Sequence, residues 1–330
     1  MKKTLVALAA LAATGAFAQV SITGTLAMGY EIDHRGTSQS DTAGLGVDTS
    51  EINFMATEDL GGGMKATAKL QLAQADRGGV AGGDASLALA SSFATLTLAN
   101  AKGADYLSGG VAKVGGNGMD GKVFSVRTIA DSATVAIPFG AFTLSLAHSE
   151  PANTVGLGSG ATGAAGTYTT TNFDGVTSAA TEVQRSNRIS LKYAAGALVV
   201  DGGYAVYDQQ GTAGGNDKSN ARAAVSYDLG AVKLGGGISV NNKNVGTRTD
   251  LLLSVGVPLG ALTLGADWAS RKTDDYAAAA SNGTITGYGL SVDYALSKRT
   301  GLGLYYTNFK QSLAATENST YTALLLSHSF

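Results

Sequence analysis

Tyr321-Thr322-Ala323-Leu324-Leu325-Leu326-Ser327-His328-Ser329-Phe330 closes the chain, and its reading decides the fold. Counting back by twos from Phe330 places His328, Leu326 and Leu324 on one face of an extended segment, with Ser329, Ser327, Leu325 and Ala323 on the other. One face suits lipid and the other tolerates water. A closed antiparallel sheet whose strands all alternate in this way pairs every backbone group inside hydrocarbon, which no open sheet can do.

The other end of the chain agrees. Lys2 and Lys3, the apolar run Leu5 to Ala13 and the small-residue site Ala16-Phe17-Ala18 read in order as a secretory signal over 1–18, so that the mature chain is expected to begin at Gln19 and to form one domain over 19–330. The apolar run falls short of the roughly 20 residues that a spanning helix needs, and no other stretch comes closer. Loss of Lys2 and Lys3 takes the formal net charge from −2 to −4, which argues against a nucleic-acid footprint. With no cysteine, the chain can build neither a disulfide framework nor a thiolate metal site.

Period-two alternation runs the length of the mature chain. Val20, Ile22, Gly24, Leu26, Met28 and Tyr30 alternate with small or polar residues, and the pattern returns at Leu198 to Val206, Val232 to Val240 and Tyr288 to Leu296. Strands are expected at about 20–33, 45–58, 64–76, 85–92, 94–101, 122–137, 142–150, 184–195, 198–208, 218–229, 231–242, 248–258, 261–272, 284–296, 301–312 and 320–330. Short turns repeat one phrase: Leu60-Gly61-Gly62-Gly63, Phe139-Gly140-Ala141-Phe142, Ala195-Gly196-Ala197-Leu198, Leu229-Gly230-Ala231-Val232 and Leu259-Gly260-Ala261-Leu262. Longer polar or glycine-rich segments alternate with them, notably Ala101 to Gly121 and Pro151 to Val183. Short turns at one rim, long loops at the other and an even strand count of about sixteen define an all-β transmembrane barrel, wide enough to keep an aqueous lumen.

Thr57-Glu58-Asp59-Leu60-Gly61-Gly62-Gly63-Met64-Lys65-Ala66 resembles the second hairpin of the general porin family of β-proteobacteria. Tyr294-Ala295-Leu296-Ser297-Lys298-Arg299-Thr300, followed by a strand, a loop and the closing His328-Ser329-Phe330, resembles that family's C-terminal signature. Phe93 to Leu98 and Ser125-Val126-Arg127 are weaker echoes, so the resemblance runs in order over the mature chain. It implies a sixteen-stranded homotrimer in the Gram-negative outer membrane, with its third loop folded inward as a constriction. The expected partners are a second and third copy of the chain, outer-membrane lipid and lipopolysaccharide, the barrel-assembly machinery acting on the strand that carries Leu326, His328 and Phe330, and small ions and solutes. Where the family commonly carries two cations before the Glu-Asp-Leu-Gly turn, this chain has Ser50-Glu51-Ile52-Asn53-Phe54-Met55-Ala56. An anion preference that depends on those cations does not carry over.

The apolar parity fixes the lumen face, and with it the candidate pore residues. Lys65, Lys69, Arg127, Arg188, Lys192, Arg222, Lys233 and Arg271 form the basic set; Glu31, Glu51, Asp201, Asp228, Asp267 and Asp293 form the acidic one. The loop side of the constriction is expected from Lys102, Asp105, Lys113 and Asp120, giving a transverse field between loop acids and wall bases such as Arg127. For most of these charges the plainer use is to keep the lumen wet. Tyr30, Tyr204, Tyr294, Tyr306, Trp268 and Phe330 sit where interfacial girdles belong.

Catalytic and metal chemistry find little support. His34, His148 and His328 form no ligand-spaced pair and no Ser-His-Asp pattern. Gly115 to Asp120 match most of a calcium-binding nonapeptide, but Lys122 takes its apolar position and no second copy follows. The same stretch mimics a phosphate loop, with Val123 in place of the required hydroxyl and a strand expected where a helix should follow. The expectation is passive diffusion of ions and small hydrophilic solutes, with weak charge selectivity and no cofactor. The alternatives are a substrate-preferring porin and, from another class, a barrel enzyme or adhesin acting through its long loops.

Overall fold

The computed structural model describes residues 19–36, 41–76, 79–103, 107–125, 129–151, 168–171, 177–180, 184–209, 217–274, 282–310, 312, 313, 315 and 317–330. The expected signal, 1–18, lies outside them. The strands are β1 (Gln19–His34), β2 (Thr42–Gly61), β3 (Met64–Asp76), β4 (Gly79–Ala90), β5 (Thr95–Lys102), β6 (Ile129–Phe139), β7 (Phe142–Pro151), β8 (Tyr168–Thr171), β9 (Thr177–Ala180), β10 (Gln184–Ala195), β11 (Leu198–Gln209), β12 (Asp217–Asp228), β13 (Lys233–Lys243), β14 (Thr247–Leu259), β15 (Leu262–Asp274), β16 (Gly283–Ala295), β17 (Thr300–Phe309) and β18 (Ser319–Ser329). Sixteen of them close an antiparallel barrel in sequence order, with β7 beside β10; β8 and β9 pair only with each other, within the long segment after β7. No edge remains on the barrel, so lipid meets no unpaired strand.

Closure is made by the first and last strands, β1 and β18. β1 and β18 pair from Thr25 opposite Ser329 to His34 opposite Thr320, and Gly24 and Phe330 exchange both backbone hydrogen bonds at 3.0 Å. The Phe330 ring lies over Gly24, where any Cβ would strike it. The register sets Met28 against Leu326 and Tyr30 against Leu324 on the outer face, and Ala27 against Ser327 and Glu31 against Ala323 on the inner one. Exposure follows the parity: Val20 is 66% and Leu326 53% exposed on the lipid side, while Ala27 is 6% and Ala323 0%. An exposed apolar surface this extensive is a liability in water and an asset in a bilayer.

The repeated turn phrase works through its glycine. Gly140 and Gly260 sit at φ of 60° and 65°, a left-handed conformation that a side chain would disfavour but a two-residue hairpin requires. Beside these turns Phe142 stacks with Phe139 at 5.6 Å and meets Tyr193 at 4.9 Å, an aromatic cluster at one rim. Tyr288 and Tyr306, 6.2 Å apart, form a second outer pair, and Tyr30, Tyr204, Trp268 and Tyr294 are exposed as a girdle requires.

Two boundaries are corrected: the fourth strand was expected from residue 85, but β4 already starts at Gly79, and the sixth starts later than expected. The sixth strand was expected from residue 122, but β6 starts at Ile129, and Lys122 to Ser125 belong to the loop before it. The carbonyl of Met119 accepts the N–H groups of Val123 and Phe124 at 3.1 and 2.9 Å, and Gly121 N–H donates to the Phe124 carbonyl at 2.8 Å. This knot of turns buries Val123 and Phe124 against the barrel wall, so their apolar character reports packing inside the lumen and not a lipid-facing strand.

Candidate functional site

Residues 107–125, between β5 and β6, fold into the barrel and lie along the inner wall. After a 3₁₀ turn at Leu107–Gly109 the segment crosses β13, β14, β15 and β16 to reach β17 and β18. Each strand it crosses presents a glycine inward. A Cβ on Gly235, Gly256 or Gly265 would collide with the carbonyls of Ala112, Val114 and Gly115, and one on Gly289 would come within 2.7 Å of Asn117. The backbone of the loop can therefore lie directly on the backbone of the sheet. Leu107, Ala112, Met119, Val123 and Phe124 are buried there with Leu252, Ala269 and Phe309.

Polar groups of β14, β15 and β16 fasten the loop. Ser254 Oγ accepts the N–H groups of Val114 and Gly115 at 2.9 and 2.6 Å and donates to Asp267 Oδ1 at 2.6 Å. Asp267 Oδ2 accepts the N–H of Asn117 at 2.9 Å, and Ser291 donates to the carbonyl of Gly115 at 2.7 Å. Asp267, expected to line the open lumen, is only 3% exposed: its charge faces loop backbone. A buried carboxylate is tolerable only with such donors. Arg271 is diverted in the same way. Its guanidinium bonds both carboxylate oxygens of Asp250, at 2.7 and 3.0 Å, and donates to Ser125 at 3.1 Å, holding the far end of the loop.

The other expected charges lie on the remaining wall, β2 to β12, and on β13 and β16. Glu51 on β2 accepts from Gln71 of β3 at 3.1 Å. Lys69 is half-buried in mid-strand, whereas Lys65 is exposed beside the turn and pairs in register with Asp59. Arg188 and Lys192 of β10, Asp201 of β11 and Arg222 of β12 form a mainly basic group, in which Arg222 pairs with Asp201 at 2.5 Å. A cavity of about 420 Å³ separates Lys192, Asp201 and Arg222 from Gly109 to Val111. Asp293 accepts the Tyr305 hydroxyl at 2.5 Å. Lys233 and Asp228 pair with each other at 3.2 Å, exposed beside the short turn.

Of the expected loop charges, Lys102 ends β5 with its N–H on Asp84 at 3.0 Å, Lys113 is exposed, and Asp120 is half-buried in the turn. Asp105 and Arg127 lie outside the described residues. Leu326 and Phe330 are on the outer face, and His328 Nδ1 is 2.9 Å from the Thr300 hydroxyl. The histidines stay apart: His34 pairs with Asp41 at 2.7 Å, and His148 is 2.8 Å from Asn187. Sequence reasoning missed Lys122, read as a strand residue, together with Asp48, Ser254, Ser291 and the wall glycines. The glycines left a signal, since Gly235, Gly237, Gly287 and Gly289 all occupy the inward parity of their strands.

A closed sixteen-strand barrel with one loop strapped along its inner wall is a membrane channel of the porin class. The chain matches the family model of the Gram-negative porins over residues 4–313 and belongs to that family. An anion-selective porin from Comamonas acidovorans has a similar structure, with a TM-score of 0.70 at 18% identity over 95% of this chain and 100% of that one. A mutant of the Rhodopseudomonas blastica porin gives a TM-score of 0.63 at 17% identity, over 94% and 100%. No curated protein matches the chain. The protein is thus an outer-membrane channel for passive diffusion, and its family and fold are those of channels and not of enzymes.

Proposed function

We propose that this channel is weakly charge-selective, with its preference set where the loop faces the bare wall. The observation that carries the reading is the one-sided fastening of the loop by Ser254, Asp267, Ser291 and Arg271, which leaves β2 to β11, with Arg222 at the edge on β12, to bound the conducting path. Lys113 and Lys122 are then the loop's contribution, Glu51 and Lys69 face them from one stretch of wall, and Arg188, Lys192 and Arg222 from another. Mixed signs on both sides give a modest field, because opposed charges in one lumen partly cancel.

Residues 1–18 serve in this reading as the export signal, and the mature chain works as a homotrimer, as porin relatives do. The outward row of Leu326, His328 and Phe330 is the segment read by the barrel-assembly machinery, and outer-membrane lipid and lipopolysaccharide cover the apolar belt. No catalytic step is assigned. Purified protein in planar bilayers tests the proposal: conductance in steps of three and a small reversal potential in a salt gradient are expected. Silent membranes would refute the channel, single independent steps the trimer, and strong ion preference the weak selectivity.

A further inference from the structure

A second cavity, of about 510 Å³, opens between the end of the loop and the wall formed by β1, β2, β17 and β18. Its lining carries opposite charges on opposite elements. Lys122 comes from the loop, its ammonium 5.0 Å from the centroid of the Tyr321 ring. Asp48 comes from β2, at the bulge where the register with β1 slips between Ala27 and Met28. Neither Lys122 nor Asp48 closes an ion pair with a described residue, although Asp48 accepts a hydrogen bond from the Thr49 hydroxyl at 2.8 Å. Asp33 and Arg35 flank them as a pair of their own at 2.8 Å. Tyr321, with its hydroxyl on Glu31, and Phe309 supply aromatic surface between the two charges.

We propose that this cavity is a subsite for small zwitterionic amino acids, the carboxylate meeting Lys122, the ammonium meeting Asp48, and the side chain resting against Tyr321 and Phe309. The inference rests on the channel reading above and names the solute class that the lumen favours. Two unpaired charges of opposite sign, separated but sharing one cavity, are each left short of a partner by the protein itself. A ligand carrying both signs satisfies both at once, whereas a simple anion or cation satisfies one and leaves the other uncompensated. An ammonium held near aromatic faces gains further attraction, as Lys122 already does over Tyr321.

The test is single-channel recording of the full mature protein in KCl at pH 7, with L-leucine as probe. Its methyl ester keeps only the cation and its N-acetyl derivative only the anion. Leucine is expected to lower the conductance saturably, at a concentration about tenfold below that of either derivative, since each lacks one charge-assisted contact. Asp48→Asn should raise the half-saturating concentration for leucine and for the ester but not for the N-acetyl compound, and Lys122→Met should do the converse. Stepwise conductance of both variants in KCl alone, whatever its size or ion preference, shows that the barrel is intact. Equal effects of all three probes, or no change in either variant, would overturn the subsite while leaving the channel standing. Absence of conductance in KCl would instead strike the channel reading itself.

Discussion

Asp267 of β15 holds the backbone N–H of Asn117 at 2.9 Å, tying the inward loop to the wall opposite the open path. With Ser254 as its second donor, this carboxylate forms the centre of the fastening. Asp267→Ala leaves the Asn117 N–H and the Ser254 hydroxyl without that acceptor beneath the loop, at about 1–3 kcal/mol for each group left unsatisfied. The expected result is a barrel that still forms but whose open-channel current is noisier and shows extra substates. Wild-type noise in the variant would mean that the fastening lies elsewhere.

Close approach of loop and sheet gives a steric prediction with a built-in control. Gly265→Val places a side chain against the Gly115 carbonyl and the Ser291 hydroxyl, so the loop must lift from the wall. Gly236→Val, on the lipid side one strand position from Gly235, meets only Leu253 and Leu252 at 3.7 and 3.8 Å, which is ordinary contact. Conductance should change in the first variant and not in the second. Equal conductance in both would separate the loop from the conducting path.

Glu51 stands on the bare wall, with Gln71 as its partner. Replacing it by arginine exchanges a negative for a positive charge in a low-dielectric lumen, which should raise anion over cation permeability about threefold. Reversal potentials in a salt gradient measure this directly. An unshifted potential would remove Glu51 from the set of selectivity residues.

Lys122 gives the channel a pH dependence. Burial, then the nearby charge of Lys113, pushes its ammonium down to about 8, against the opposing pull of Asp33 on β1, Asp48 on β2 and Asp267 on β15. Tyr321 of β18 faces it with an aromatic ring. The lysine is therefore charged at pH 7 and neutral by pH 9, and anion permeability should fall across that interval. Lys122→Met should show the pH 9 value throughout. A wild-type profile flat between pH 7 and 9 would contradict the assignment.

Much of this was legible in the chain because a membrane barrel writes its fold locally. Strand parity, set by the demand that alternate residues meet lipid, gave β10 over the expected 184–195 and put Glu51 and Arg222 on the inner face. The start of β6 was misplaced because Val123 and Phe124 are β-prone apolar residues adjoining the strand pattern, while they pack with Phe309 inside the lumen. Likewise Asp267 and Arg271 have the parity of pore-lining charges, and only the loop lying over them converts them to fasteners.

Period-two alternation, turn glycines and an aromatic-ended last strand thus determined a sixteen-strand closed sheet from the sequence alone, since each depends on neighbours one or two residues away. Which wall the loop would cover, and so which charges remain open to solute, was decided by tertiary structure. That choice depends on contacts such as Gly115 with Gly265, whose residues stand far apart in the chain and meet only once the barrel has closed.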